Sequence, residues 1–206
     1  MFQRIFTLLT GCIVMLSYTC IMSLKQRKSQ SDRVRSLLKS SQDLFHTQDL
    51  ALLWEIENRA TLYNTIRRYV ERGVLTRIHK GFYSKKPLDQ INPVELGIGY
   101  LHSFCYLSVE DILTKEGIIS QDVPHITLIS DTSEKFEING YSYISRQMKD
   151  EYLFNESGIE QDNKIKKAVP SRAVADMLYY NPDYHFDSPS LINWDEVKKI
   201  KEEVGY

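Results

Sequence analysis

Apolar residues along this 206-residue chain repeat with helical and strand periods, and the pattern changes character near residue 87. Val34, Leu37 and Leu38 form the core face of a helix from Arg33 to about Ser40, with Asp32 as its N-cap. Leu50, Leu53 and Trp54 form the inward face of a helix over Gln48–Trp54, which Thr47 caps. Leu62, Ile66, Tyr69 and Val70 share one stripe of a helix from about Arg59 to Arg72. Asn58 caps that helix, and Gly73 ends it because glycine takes the left-handed conformation without steric cost. VLTRIHKGFYS then reads as two short strands around Lys80-Gly81, with Tyr83 inward. Three helices and a hairpin predict a helix-turn-helix with a wing over residues 32–86.

Pro87 to Pro93 reads as a linker, because two prolines around polar residues break any continuing element. A helix opens at Pro93 and runs toward Leu101. CYLSVEDILTKEGII predicts a second helix, with Ser108 as cap, Asp111 at the capping-box position and Val109, Ile112 and Leu113 inward. HITLIS is a strand, and KFEI-NG-YSYI is a hairpin around Asn139-Gly140. KIKKAV is a further strand. Pro170 and Ser171 start the helix RAVADMLYY, with Ala173, Val174, Met177 and Leu178 inward. Asn193 or Ser190 caps a last helix from Trp194 to about Glu203. The expected fold class is α+β: an N-terminal winged helix-turn-helix, then an α+β domain over 94–206 with a small antiparallel or mixed sheet. No internal repeat or low-complexity tract is visible.

Charge sharpens the division at Pro87. The net charge is −1, yet residues 25–86 hold 14 Lys+Arg against 6 Asp+Glu, and residues 87–206 hold 11 against 21. The basic half suits a polyanion, and the acidic half a protein partner or simple solubility. Residues 1–31 are an apolar leader and a basic arm. The uncharged run 5–22 admits three readings: an upstream extension of a chain that starts at Met22, a membrane anchor with the rest in the cytoplasm, or an export signal. Cys12, Cys20 and Cys105 form no C-x-x-C pair and no metal-ligand spacing with histidine. No structural disulfide is expected, which fits a reducing compartment.

The chemistry-bearing face is the polar side of the Arg59–Arg72 helix. Thr61, Asn64 and Arg68 are the candidates for base edges, with Thr65 beside them. Arg59, Arg67 and Arg72 are the candidates for phosphates, joined on the wing by Arg77, His79, Lys80 and Lys85. The competing reading is a solvated helix face with Arg67 and Glu71 paired at i,i+4 and ordinary strand-edge charge on the wing. Arg172 and Asp176, one helical turn apart, read as a structural salt bridge and not an active site. His102, His125 and His185 have no partner at ligand spacing. Tyr179, Tyr180, Tyr184 and Phe186 form an aromatic cluster, for core packing or for a partner. No phosphate-binding loop, nucleophile elbow, zinc-protease or dinucleotide motif occurs, so no enzyme activity, cofactor or metal is expected.

Two sets of motifs suggest a family. FHTQDLALLWEIENRATLYNTIRRYVERGVLTRIHKGFYS ends in Gly73, Val74, Leu75, Arg77, Gly81 and Tyr83. CYLSVEDILTKEGII and PSRAVADMLYY follow in the second half. In this order, over roughly residues 30–200, they resemble the AbiEi-type antitoxins of bacterial abortive-infection, type IV toxin–antitoxin systems. The resemblance implies a winged helix that binds an operator in its own promoter, as double-stranded DNA at the nucleoid. It also implies a C-terminal domain that counters a nucleotidyltransferase-like toxin. Ser171 departs from the pattern, which carries an acid there, and the apolar leader lies outside it. Two alternatives stay open: a regulator whose second domain senses a ligand or dimerises, and a divergent nuclease targeted by the winged helix.

Overall fold

Asn58 fixes the start of the helix around which the N-terminal half is built: its Oδ1 accepts the Thr61 N–H at 2.9 Å. The computed structural model describes residues 29–121 and 123–206. The first helix, α1 (Gln30–Lys39), is followed by strand β1 (Leu44–His46), α2 (Thr47–Trp54) and α3 (Arg59–Glu71). Strands β2 (Thr76–His79) and β3 (Phe82–Ser84) complete an antiparallel sheet of order β1-β3-β2. Leu37, Phe45, Leu50, Trp54, Leu62, Ile66 and Tyr69 are buried together between the helices and this sheet. The Trp54 indole donates to the Arg33 carbonyl at 3.2 Å, and its ring meets Tyr69 edge to face. Burying an aromatic of this size contributes roughly 2–3 kcal/mol.

Several ends differ from the expected ones by identifiable physics. Ser29 caps α1, and Asp32 completes the capping box from the third helical position. Leu38, expected in the core, is 69% exposed. Thr47 is the first helical residue of α2, and Asp49 reaches back to the His46 N–H at 2.7 Å. Beyond α3, Gly73 has φ 70°, and the Gly73 and Val74 amides close the last turn onto Val70 and Tyr69. Strand β1 was not expected, because three residues between two helices carry no usable alternation.

The C-terminal half is a six-stranded mixed sheet with helices packed against it. Its elements are α4 (Pro93–Leu101), β4 (Tyr106–Leu107), α5 (Glu110–Lys115), β5 (His125–Ser130), β6 (Glu134–Ile138) and β7 (Tyr141–Gln147). They continue with α6 (Asp150–Leu153), β8 (Ile159–Asp162), β9 (Ile165–Ala168), α7 (Pro170–Tyr180) and α8 (Trp194–Val204). The strand order is β6-β7-β5-β4-β9-β8, with β5–β7 and β4–β9 parallel and the other pairs antiparallel. Asn139 and Gly140 both have positive φ, as the β6–β7 turn requires. The chain is thus a mixed α+β fold with an antiparallel and a mixed sheet.

Pro87–Pro93 is short and ordered, with one 3-10 turn over Leu88–Gln90, and it does not separate the halves. Helix α4 lies between the two sheets. A Cβ at Gly97 would stand 2.5 Å from the Tyr143 ring, and one at Gly99 would stand 2.7 Å from Leu44 and 3.1 Å from Phe82. Two glycines in one helix cost about 1 kcal/mol each relative to alanine. The close approach explains why no larger residue fits. The His46 ring bonds the Gly99 carbonyl at 2.7 Å and stacks on Phe82 and against His102.

Helix α5 begins differently from its expected cap. Ser108 donates to Asp176 instead, Val109 takes the N-cap position at φ 50°, and the Asp111 carboxylate accepts the Thr127 N–H at 2.6 Å. Burial pushes the Asp111 carboxyl up to about 6, with Glu110 adding to the rise and the Thr127 bond opposing it. A carboxyl raised on folding favours the fold while it is neutral. Asp111 therefore costs nothing below about pH 4 and progressively more as pH rises through 6, on the order of 2–3 kcal/mol at neutrality. Asp111→Asn, which keeps an acceptor for Thr127, should raise the urea midpoint at pH 7.5 and leave it unchanged at pH 4. An equal change at both values would show that desolvation of the carboxylate is not the cause.

Candidate nucleic-acid interface

The sequence of α3 separates two faces, and the structure keeps all but one residue where the pattern puts them. Leu62, Ile66 and Tyr69 are buried, while Arg59, Thr61, Asn64, Arg67, Arg68 and Arg72 are exposed. Thr65 is the exception. It is 8% exposed, and its Oγ1 donates to the Thr61 carbonyl at 2.8 Å, one turn back. Its hydroxyl is spent on the helix's own backbone, so it is removed from the open face.

The β2–β3 hairpin stands beside α3. Arg77, His79 and Lys80 are exposed on it, and Tyr83 is buried beneath. The His79 ring meets Tyr100 edge to face at 5.7 Å, and the Tyr100 hydroxyl donates to Glu134 at 3.2 Å. The C-terminal half therefore braces the hairpin. Lys85 sits elsewhere. It is at the far end of β3 from the Lys80-Gly81 turn, half-buried, donating to the Ser40 carbonyl at 2.6 Å and paired with Asp43 at 3.3 Å. Asp43 also binds Lys86 and Lys164, each at 3.0 Å. Burial works against the Asp43 carboxylate, but the three lysines outweigh it and hold its pKa down at about 2. Lys85 is thus a clamp between strand and helix, and it does not belong to the open cationic face.

On that face Arg67 pairs with Glu71 at 3.6 Å, both exposed, a contact worth only tenths of a kcal/mol. Arg59, Arg68, Arg72, Arg77 and Lys80 have no ion-pair partner among the described residues. Between α3 and the hairpin runs a groove of about 580 Å³. Tyr63, 55% exposed, forms part of its wall. Tyr63 was not a candidate from sequence, although Arg59, Tyr63 and Arg67 repeat at i, i+4, i+8 along one ridge.

The other candidate, Arg172 with Asp176, is a buried structural node. Both side chains are fully buried, and Arg172 Nε donates to Asp176 at 2.8 Å. The remaining guanidinium donors reach the Asn155, Ser157 and Tyr152 carbonyls and the Tyr106 hydroxyl. Asp176 also accepts from the hydroxyls of Tyr106, Ser108 and Tyr206. Burial pushes the Tyr106 and Tyr206 hydroxyls far above their ordinary range, with Asp176 adding to the rise, so both remain donors. Every donor of the arginine is used, and both side chains are shut off from solvent. Ser171 donates to Glu196 at 2.8 Å, so an acid from α8 stands beside the position where the sequence lacks one.

The aromatic cluster divides in two: Tyr179 and Tyr180 pack with Tyr152 and Tyr206, and Tyr184 and Phe186 with Trp194. Cys105 is buried, and burial, with Asp131 adding, pushes its thiol up to about 12. Among the described residues no group of three His, Cys, Asp or Glu side chains could hold a metal ion. Likewise, no helix among them is long and apolar enough to cross a membrane. The 5–22 run, Cys12 and Cys20 lie outside the described residues. No protein-family model matches the chain, and no relative is found among curated proteins.

Proposed function

We propose that the chain is a DNA-binding transcriptional repressor and antitoxin, with residues 32–86 acting as a winged helix on its own promoter. The observation that carries the DNA half is the row of exposed cations on α3 and the hairpin, with Thr61 and Asn64 among them. Helix α3 enters the major groove. Arg68 and Asn64 are set to bond base edges, and Arg59, Arg67, Arg72, Arg77 and Lys80 to hold phosphates. The capped N-terminus of α3 adds a favourable dipole toward the backbone.

The antitoxin half rests on the family resemblance. Its support is that the paired motifs Tyr106-x-Ser108 and Arg172-x-x-x-Asp176 meet in one buried network. Motifs that far apart in sequence are then explained by one fold. The partner is a nucleotidyltransferase-like toxin encoded beside it. Co-expression with the neighbouring gene tests this: relief of growth arrest supports it, and persistent arrest removes it.

A gel-shift on the chain's own upstream DNA tests the shared claim. Arg68→Ala should cost about 1–3 kcal/mol of discrimination between operator and random duplex, because a bidentate arginine–guanine contact is lost. An unchanged ratio would remove Arg68 from base reading.

A further inference from the structure

The groove between α3 and the hairpin is more apolar than a phosphate track needs to be. Ile66, Val70 and Tyr83 form its floor, and the Tyr63 ring stands at its wall. Arg77 and Lys80 line it without an ion-pair partner among the described residues, and Arg67 lines it paired with the Glu71 carboxylate, so three cations stand there against one acid. A DNA backbone is held by cations, hydrogen-bond donors and helix N-termini, and gains little from a floor of isoleucine and valine. A concave space of about 580 Å³, apolar within and bearing a few convergent charges, has the size and chemistry of a small-molecule site.

We propose that this groove binds an amphipathic organic anion: an aromatic or aliphatic body with one acidic head. The body lies on Ile66, Val70 and Tyr83 and against the Tyr63 ring. The head pairs with Arg77 and Lys80, and with Arg67 when that residue leaves Glu71. Ring stacking and the pairing of opposite charges act together here, and neither alone would give selectivity. No backbone change is needed, since the floor residues already belong to the packed core. A ligand in this groove covers Arg67, Arg77 and Lys80. Resting on the DNA-binding reading, its occupancy therefore excludes the duplex, and the anion acts as an inducer by direct competition.

The probe is 2-naphthoate, with the neutral 2-naphthol as its control. Binding to the full chain is followed by calorimetry, and displacement of a labelled duplex from the upstream region by fluorescence anisotropy. Naphthoate should bind saturably at one site and naphthol at least tenfold more weakly. Tyr63→Ala and the pair Arg77→Gln, Lys80→Gln should each weaken naphthoate about tenfold. All three positions are exposed, and unchanged thermal melts confirm that the variants fold. Naphthoate binding that fails to saturate, matches naphthol, or ignores these substitutions overturns the inference. Should naphthoate bind as expected while no duplex binds, the DNA-binding reading fails and the site stands. Should the duplex bind but not be displaced by bound naphthoate, the inducer role is overturned.

Discussion

Asp176→Ala should destabilise the chain by on the order of 3–5 kcal/mol, because it strands a fully buried arginine without its counter-charge. For a protein of this size that corresponds to a fall in melting temperature of roughly 6–20 °C. The effect is large because the carboxylate joins segments far apart in sequence. Asp176 on α7 accepts from Tyr106 on β4, Ser108 at the start of α5 and Tyr206 at the C-terminus. Its partner Arg172 binds carbonyls at Tyr152, Asn155 and Ser157. Removing the acid takes their shared acceptor from three hydroxyls and one guanidinium donor; Ser108 and Arg172 are fully buried, and Tyr106 keeps only the Met148 sulfur. Burial works against the Arg172 charge, and Asp176 is the largest of the groups that offset it, so the variant keeps a buried guanidinium, which does not lose its proton, without its main support. The double variant Arg172→Met, Asp176→Asn removes both charges at similar volume and should lose less than either single change, read by urea midpoints of all four proteins. A single Asp176→Ala protein that melts with the parent would mean the network does not hold the fold.

The same network shows what a sequence can and cannot disclose. Arg172 and Asp176 are one turn apart, so their pairing is local and readable. That Ser108 serves Asp176 is not, because Ser-x-x-Asp also describes a capping box and only the third dimension chooses between the two. The choice leaves Val109 at φ 50°, an unusual position for a β-branched residue, held there by packing on all sides. The short strands β1 and β4 were illegible for a related reason. Each is two or three residues long, too short for alternation, and exists because a neighbouring strand offers unpaired backbone. The glycines of α4 did carry a signal. Gly97 and Gly99 inside a helical run point to a close approach, which the structure supplies from both sheets. Read that way, Pro87–Pro93 would have been taken as a fixed joint and not a linker.

On the candidate face, the exposed cations of α3 were legible because helical periodicity separates them from Leu62, Ile66 and Tyr69. Thr65 was misplaced because a threonine at the edge of a stripe can bond its own helix, and periodicity does not register that choice. Lys85 was misplaced because its partner, Asp43, is distant along the chain and belongs to a charge cluster that only folding assembles. That cluster is also where the basic and acidic halves touch: Lys164 from the acidic half binds both Asp43 and Glu95. The pair across the joint takes an acid of the basic half and a lysine of the acidic half, so it uses none of the cations of α3, and those of the face stay open.

Salt separates the two kinds of lysine. With Arg59, Arg67, Arg72, Arg77 and Lys80 on phosphates, the proposed duplex complex should show a slope of about −4.5 in log K against log salt, at ~0.9 per phosphate. Affinity should then fall roughly 500-fold between about 50 and 200 mM salt. Arg72→Gln and Lys80→Gln should each lower the slope by about one and weaken operator and random duplex alike. Lys85→Gln should leave the slope as it is, because the Lys85 ammonium is spent on Asp43 and on the Ser40 carbonyl and releases no counterion from DNA. Its effect belongs to stability: one donor fewer on Asp43 lets that carboxyl rise from about 2 toward its ordinary value, so the variant should lose its fold at a higher pH on acid titration. The sign follows from the depressed pKa, since the clamp stabilises the fold above the unfolded value of 3.8 and weakens as pH drops through the folded one. If Lys85→Gln changed the slope as much as Lys80→Gln, the lysine would be reaching DNA, and the clamp would have to open when the duplex binds.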